Sequence, residues 1–465
     1  MNAEDLRLIP FNVLSIDNDY ILINGENLTI IKIDKSDYLI LNSIKEKNNK
    51  NDLKDNYTLL RDYDLISRKI VPSKKKSNKL SPITHLTLFV VQKCNLKCTY
   101  CYGNEGEYGE KGIMNVETAR KAVDWLIYES KEKKELGISF FGGEPLMNFS
   151  LIKKITQYAK IQGSKFGKQF EFGITTNGVL LNDENISFMM QNNMIPVISF
   201  DGPKEIHDKN RLFKNGKGTY DYTVIKIKEL LKNIPNSICR ATLIDGRDYA
   251  YIERHLKEIG FKYIQLTVAS PSLLNVDNHI KRNVPNTFEF IKEISRDIIN
   301  YIKTRDSKNL KDIQYSGIGW HLSRMIEQFI NKQKRYFACG AGRSGVAITT
   351  SGDIQLCHRF VGLKEFSLGS IFHDNIERNI YQNSPTVINE KCKLCFAKYF
   401  CAGGCYHDNL GVTGSIFSPA VDMCSFMQNL AIIAGFISTQ LNSEDVSFLI
   451  KNEFILKKTC LLDIF

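Results

Sequence analysis

The sequence predicts an α/β protein built on a parallel sheet, with a small α+β unit before it and a cysteine-rich segment after it. Three observations carry this reading. Six apolar β-type runs alternate with amphipathic helical stretches between Leu86 and about residue 270. Seven of the 12 cysteines crowd into residues 339–424. Short β-like runs and helical patterns fill the first 70 residues, ahead of a lysine-rich stretch.

In the opening unit, Tyr20–Ile23 and Leu28–Ile33 read as strands joined by a turn at Asn24, Gly25 and Glu26. A helix is expected over Ser36–Lys45 and a second helical pattern runs to about Lys69, with no clear third strand. These residues form a first unit at 1–72. Residues 73–82, with Lys74, Lys75, Lys76 and Lys79, form a charged linker. The second unit is 83–335. Its strands are expected at Leu86–Val91, Ile138–Phe141, Phe170–Thr176, Ile195–Phe200, Ile238–Leu243 and Tyr263–Val268. Helices such as Val116–Lys134 and Leu151–Ile161 lie between them, and residues 285–335 are mostly helical. A run of βα units makes a parallel sheet, rolled or open, whose chemistry gathers at the carboxyl ends of its strands. Residues 336–430 form the cysteine-rich unit and residues 431–465 a helical tail.

The chain of 465 residues carries 62 lysines and arginines against 51 acidic residues. Lysine and asparagine are abundant throughout, so the excess reads as compositional bias rather than a nucleic-acid surface. The start of the chain does not join a positive region to an apolar run and a cleavage site. The longest apolar stretch, near Ala431–Ile437, is too short to span a bilayer. The expectation is a cytoplasmic protein with neither nucleic-acid nor membrane partners. Cysteines in that compartment point to metal binding or catalysis rather than disulfides.

The first strand runs into Cys94-Asn95-Leu96-Lys97-Cys98-Thr99-Tyr100-Cys101. Three thiolates in one loop can wrap a [4Fe–4S] cube and leave one iron open. A zinc site would need a fourth ligand, and only His85, upstream, is at hand. The second strand leads to Gly142-Gly143-Glu144-Pro145 and the third to Thr176-Asn177-Gly178. The fourth ends in Ser199-Phe200-Asp201-Gly202-Pro203, followed by His207, Asp208 and Arg211.

The CxxxCxxC loop resembles the signature of the radical S-adenosylmethionine superfamily, and the later turns resemble that family's GGE, TNG and SxDG…HDxxR motifs. The resemblance implies a partial (β/α)6 TIM-like barrel over 83–335. It implies a cluster on Cys94, Cys98 and Cys101 whose open iron chelates the methionine end of S-adenosyl-L-methionine. By the same resemblance Gly142, Gly143 and Glu144 meet the cofactor's amino group. Asn177 belongs to the matching turn, Ser199 and Asp201 lie beside the cofactor, Arg211 meets its carboxylate, and Tyr100 packs near the adenine. No side-chain nucleophile or general base is required, since the cofactor supplies the reactive species.

Cys339, Cys357, Cys392, Cys395, Cys401, Cys405 and Cys424 resemble the seven-cysteine SPASM extension, with Gly352 standing before Cys357. That resemblance implies two auxiliary [4Fe–4S] clusters, three clusters in all. Cys392, Cys395, Cys401 and Cys424 would fully ligate one, and Cys339, Cys357 and Cys405 would hold the other. A pair of zinc sites is the alternative by count. Cys239 reads as a core residue and Cys460 as idle. His358 and His407 read as neighbours of a cluster rather than ligands.

Enzymes resembling this combination act on peptides or proteins, with an electron donor such as a flavodoxin or ferredoxin. The first unit loosely resembles a leader-peptide recognition domain, which would bind a peptide at a sheet edge. The leading expectation is therefore a maturase of a ribosomally made precursor, forming a thioether or related cross-link. The alternatives are an anaerobic sulfatase-maturating, formylglycine-generating enzyme and a non-catalytic iron–sulfur binding or redox-sensing protein.

Overall fold

A largely parallel sheet runs through the centre of the molecule, and six of its strands lie side by side in chain order. The computed structural model describes residues 6–47, 53, 55–68, 80–245, 248–274, 288–315, 317–373, 376–383 and 389–455. Most of the linker expected at 73–82, and Cys460, lie outside these residues.

The first unit contains β1 (Leu6–Leu8), β2 (Phe11–Ile16), β3 (Asp19–Asn24), β4 (Ile30–Ile33) and β5 (Ile66–Arg68). The strands β2, β3 and β4 form an antiparallel meander, and β1 pairs with β5. Two expectations are corrected here. A third strand, β2, precedes the expected pair. The second helical pattern stops at Asp62, and Ile66–Arg68 is a strand because β1 supplies its hydrogen bonds. The helix Lys35–Lys47 covers the meander, and Val13, Leu22, Leu41, Ile44 and Leu60 close a small core of their own.

The central strands are β6 (His85–Gln92), β8 (Glu135–Gly142), β9 (Gln169–Thr176), β10 (Ile195–Ser199), β11 (Ile238–Leu243) and β12 (Tyr263–Val268), with β7 (Gly112–Ile113) a short antiparallel appendage of β6. All six pair in parallel, in chain order. Their near-continuous burial, complete over Leu136–Phe140 for example, is what a sheet covered on both faces requires. The helix Val116–Glu129 shows how sequence sets the covering layer. Asn115 caps it by accepting from the Thr118 N–H at 2.8 Å. Ala119, Ala122, Val123, Leu126 and Ile127 then recur at helical spacing on its buried face. It ends at Glu129, short of the expected Lys134, because Glu135 already belongs to β8.

The cysteine-rich segment adds β13 (Gly345–Ile348), β14 (Asp353–Gln355) and β15 (Ser367–Ser370) to the same sheet. The strand β13 lies parallel to β6, with Gly345 opposite His85 and Ile348 opposite Leu88. One helical stretch, Val421–Thr439, is long and apolar enough by length and composition to cross a membrane, which corrects the shorter estimate from sequence. Here it is a core element: Leu430, Ala431, Ile433, Ala434 and Ile437 are fully buried, packed against the helices Phe288–Lys303 and Gly317–Asn331.

Candidate active site

The carboxyl ends of β6, β8, β9 and β10 open on one cleft. Cys94, Cys98, Tyr100, Cys101, Gly142, Gly143, Asn177, Ser199 and Arg211 all line it. With Glu144 and Asp201, which lie in the same turns, eleven of the eighteen predicted site residues belong to these strand ends and loops, and the other seven are the cysteines of 339–424.

The cysteine loop is held from two sides. Lys97 N–H donates to the Leu212 carbonyl at 2.8 Å, and Thr99 N–H to the Asn210 carbonyl at 2.9 Å. On the other side Gly106, at φ +82°, packs so closely that a Cβ there would stand 2.5 Å from Gly143 Cα and 2.7 Å from Cys94 Cβ. Gly143 is equally constrained, since its Cβ would meet the Lys93 carbonyl at 2.2 Å. The Gly-Gly pair therefore lets β8 approach the loop.

The thiols are supplied with donors. Cys94 Sγ accepts from Leu96 N–H at 3.4 Å and lies 3.7 Å from Asn177 Nδ2. Cys101 accepts from the backbone N–H groups of Gly103, Glu105 and Gly106. Burial pushes the Cys94 and Cys98 thiols up to about 12. Ionising such thiols requires a strong positive partner, which a bound metal cluster provides.

Two predicted residues lie beneath the cleft rather than in it. Glu144 is fully buried. Its carboxyl accepts from Leu146 N–H at 3.0 Å, Thr176 Oγ1 at 2.8 Å and Asn177 N–H at 2.7 Å. Its oxygens tie β8 to the turn after β9. Burial raises Glu144 from 4.5 to about 7, against the lowering effect of those donors. The folded chain thus holds this proton more tightly than the unfolded chain, so the group's contribution to stability is lost as pH rises from 4.5 towards 7. Glu144→Gln is expected to flatten the fall in thermal midpoint between those limits and to lower the midpoint itself, since an amide leaves one donor unpaired. An unchanged pH slope would contradict this.

Asp201 is also fully buried. It accepts from the Tyr100 hydroxyl, from Arg211 Nε at 3.0 Å and from Thr242 N–H at 3.0 Å. It braces two residues that line the cleft, Tyr100 and Arg211. Arg211 is held by this contact with its guanidinium 5.4 Å from the Tyr100 ring centroid and Nη1 3.9 Å from Cys98 Sγ. Arg211 and Tyr100 still line the cleft.

The remaining cysteines sort by mutual electrostatic influence. Cys357 senses Cys339 and Cys405. Cys401 senses Cys392, Cys395 and Cys424. These are the two sets implied by the seven-cysteine resemblance. The thiols of a set stand apart: among the described residues no three His, Cys, Asp or Glu side chains converge closely enough for one metal ion. Cys239 is buried in β11, donating to the Phe200 carbonyl at 3.3 Å. His85 is bonded to Ser139 Oγ at 3.0 Å inside the sheet, away from the loop.

Among the cleft residues that sequence reasoning missed are Tyr102, Arg240 and Arg359, with His358 as a lining residue. Arg240 stands in register with Ser199 and bonds Gln265 Oε1 at 3.0 Å. Arg359 pairs with Asp408 at 3.2 Å and feels the Cys405 and Cys357 thiols. It therefore bridges the cleft and the Cys339–Cys357–Cys405 set. Alternation along β11, which puts Arg240 and Thr242 on one face, was the available signal for the first.

The model of a family described as the Radical SAM superfamily matches residues 88–259. An uncharacterised protein of Methanocaldococcus jannaschii is 34% identical over 218 residues, 46% of this chain and 70% of the relative. The cysteine-type anaerobic sulfatase-maturating enzyme of Clostridium novyi is 26% identical, over 67% of this chain and 84% of its own. The antilisterial bacteriocin subtilosin biosynthesis protein AlbA of Bacillus subtilis is 27% identical, over 71% of this chain and 68% of its own. Among solved structures, anSMEcpe with bound AdoMet shares the fold at a TM-score of 0.61 and 19% identity, covering 80% of this chain and 99% of that one.

Proposed function

The chain belongs to the radical SAM superfamily and is an enzyme of its protein- and peptide-modifying kind, and from that premise we propose that it matures a ribosomally made precursor peptide by forming a thioether or related cross-link. Membership sets aside the non-catalytic binding or sensing alternative. The observation that supports the proposal is the cleft lined by Cys94, Cys98 and Cys101, with seven further cysteines between residues 339 and 424.

When bound, a [4Fe–4S] cluster and S-adenosyl-L-methionine supply a 5′-deoxyadenosyl radical that takes a hydrogen atom from the substrate. In this reading Cys94, Cys98 and Cys101 hold the cluster, and the N–H groups of Gly103, Glu105 and Gly106 temper the charge on Cys101. The backbone of Gly142 and Gly143, with Ser199 and Arg211, cradles the cofactor's methionine end. Glu144 and Asp201 hold those elements in place. Cys339, Cys357 and Cys405 hold one auxiliary cluster and Cys392, Cys395, Cys401 and Cys424 the other. Clusters held by these residues would supply a path for the electron released on cross-linking, with a flavodoxin or ferredoxin as the external donor. The partial barrel over 83–335 encloses the reaction, in a cytoplasmic enzyme. The meander of the first unit binds the precursor's leader, since β2 and β4 each have one strand neighbour among the described residues.

Likeness to the Clostridium novyi enzyme favours a second reading, formylglycine formation on a sulfatase. One experiment separates the two. The reconstituted enzyme is incubated with reductant, S-adenosyl-L-methionine and peptides encoded by short cysteine-bearing reading frames beside its gene, and with a sulfatase-derived cysteine peptide. A precursor two hydrogens lighter with its sulfur retained is expected. Loss of sulfur from the sulfatase peptide, with the precursors untouched, would install the second reading instead.

A further inference from the structure

The turn between β3 and β4 reaches out of the first unit and seats on the cysteine-rich segment. Glu26 stands at its tip. Its Oε2 accepts from Lys398 Nζ at 2.7 Å, and its Oε1 accepts from the Tyr399 hydroxyl at 2.9 Å and Lys334 Nζ at 3.4 Å. Gly25, beside it, packs so tightly that a Cβ would stand 2.5 Å from Phe396 Cα. Phe396, Lys398 and Tyr399 all lie in the five residues between Cys395 and Cys401. The same unit touches the element that begins with Cys424: Gly435 of the helix Cys424–Thr439 packs on Ile30 and Ile23.

Lys398 is the informative partner. Its side chain is 6% exposed, and among the described residues Glu26 is the one carboxylate paired with it. A buried ammonium without a counter-charge is costly. The turn thus supplies from 372 positions away the charge that lets a lysine stay inside the loop. Other cations gather here: Lys334 on Glu26, and Arg335, which feels both Cys401 and Cys339. Glu26 offsets the two lysines.

We propose that Glu26 is a positioning residue for the auxiliary centre of Cys392, Cys395, Cys401 and Cys424, fixing the Cys395–Cys401 loop and cancelling the Lys398 charge beside it. This rests on the reading above that these four cysteines hold a cluster. Reduction adds negative charge to such a centre, so an uncancelled cation nearby favours the reduced form.

The test is a redox titration followed by electron paramagnetic resonance, on full-length reconstituted chains lacking the first cluster through Cys94→Ala, Cys98→Ala and Cys101→Ala. In that background Glu26→Gln is expected to move one of the two reductive transitions to more positive potential. Lys398→Met moves the same transition to more negative potential, and the double variant returns towards the parent. If Glu26→Gln instead sheds iron, the double variant should regain it, which supports the same role. Unmoved transitions at full iron content, or iron loss that Lys398→Met does not rescue, overturn the proposal. Cys392→Ala with Cys395→Ala tests the underlying reading separately: iron content unaffected by that pair would remove the cluster itself, whatever Glu26 does.

Discussion

Replacing Cys94, Cys98 and Cys101 together by alanine is expected to abolish formation of 5′-deoxyadenosine while leaving about eight of about twelve irons in place. The sets are separate enough for this. The three loop cysteines face the cleft, whereas Cys339, Cys357 and Cys405, and Cys392, Cys395, Cys401 and Cys424, influence one another within their own groups. The backbone bonds that pin the loop, from Lys97 and Thr99, do not involve the sulfurs, so the fold survives the change. Iron and sulfide counts before and after, with chromatography of the nucleoside product, check both halves. Cleavage that persisted in the triple variant would place the cofactor elsewhere. Loss of all iron would mean that the three groups assemble as one unit.

Asp201→Ala carries the second large effect. The carboxylate holds Tyr100, Arg211 and the Thr242 N–H at once. Removing it leaves the Arg211 guanidinium, 8% exposed, with no opposing carboxylate among the described residues, a situation that costs about 3–5 kcal/mol. Denaturant unfolding should show a loss of that order, and iron bound at the Cys98 loop should fall with it because Arg211 stands beside that sulfur. Asp201→Asn keeps an acceptor and the shape but drops the charge, so an intermediate loss is expected. Stability equal to wild type in both variants would mean that Asp201 is not the brace described here.

The sheet was legible because its strands are buried on both faces. Five-to-eight-residue apolar runs bounded by turns leave little room for misreading, and β11 and β12 begin and end where the pattern placed them. The cysteine loops were legible through spacing alone. Side-chain direction at the motif turns was not. Gly142 takes φ +140°, a bend invisible in the letters, and the residues after it rotate so that Glu144 points into the protein. The strand Ile66–Arg68 was also hidden, since three residues carry too little pattern and its partner β1 lies some 60 positions earlier. The pairing of β13 with β6 joins segments 260 residues apart, and nothing local in either one announces the other. Glu26 read as a turn residue, which it is; its charge partner belongs to a distant cysteine loop.

The hydrogen bonds between β6 and β13 have a further meaning for timing. The strand β6 runs directly into Cys94, and β13 begins six residues after Cys339. A shared ladder makes these two segments one rigid span, so no hinge along that edge can lengthen or shorten the gap between the first two sulfur groups. For the clusters proposed above, a gap set by backbone pairing would give an electron-transfer rate that stays constant from one turnover to the next.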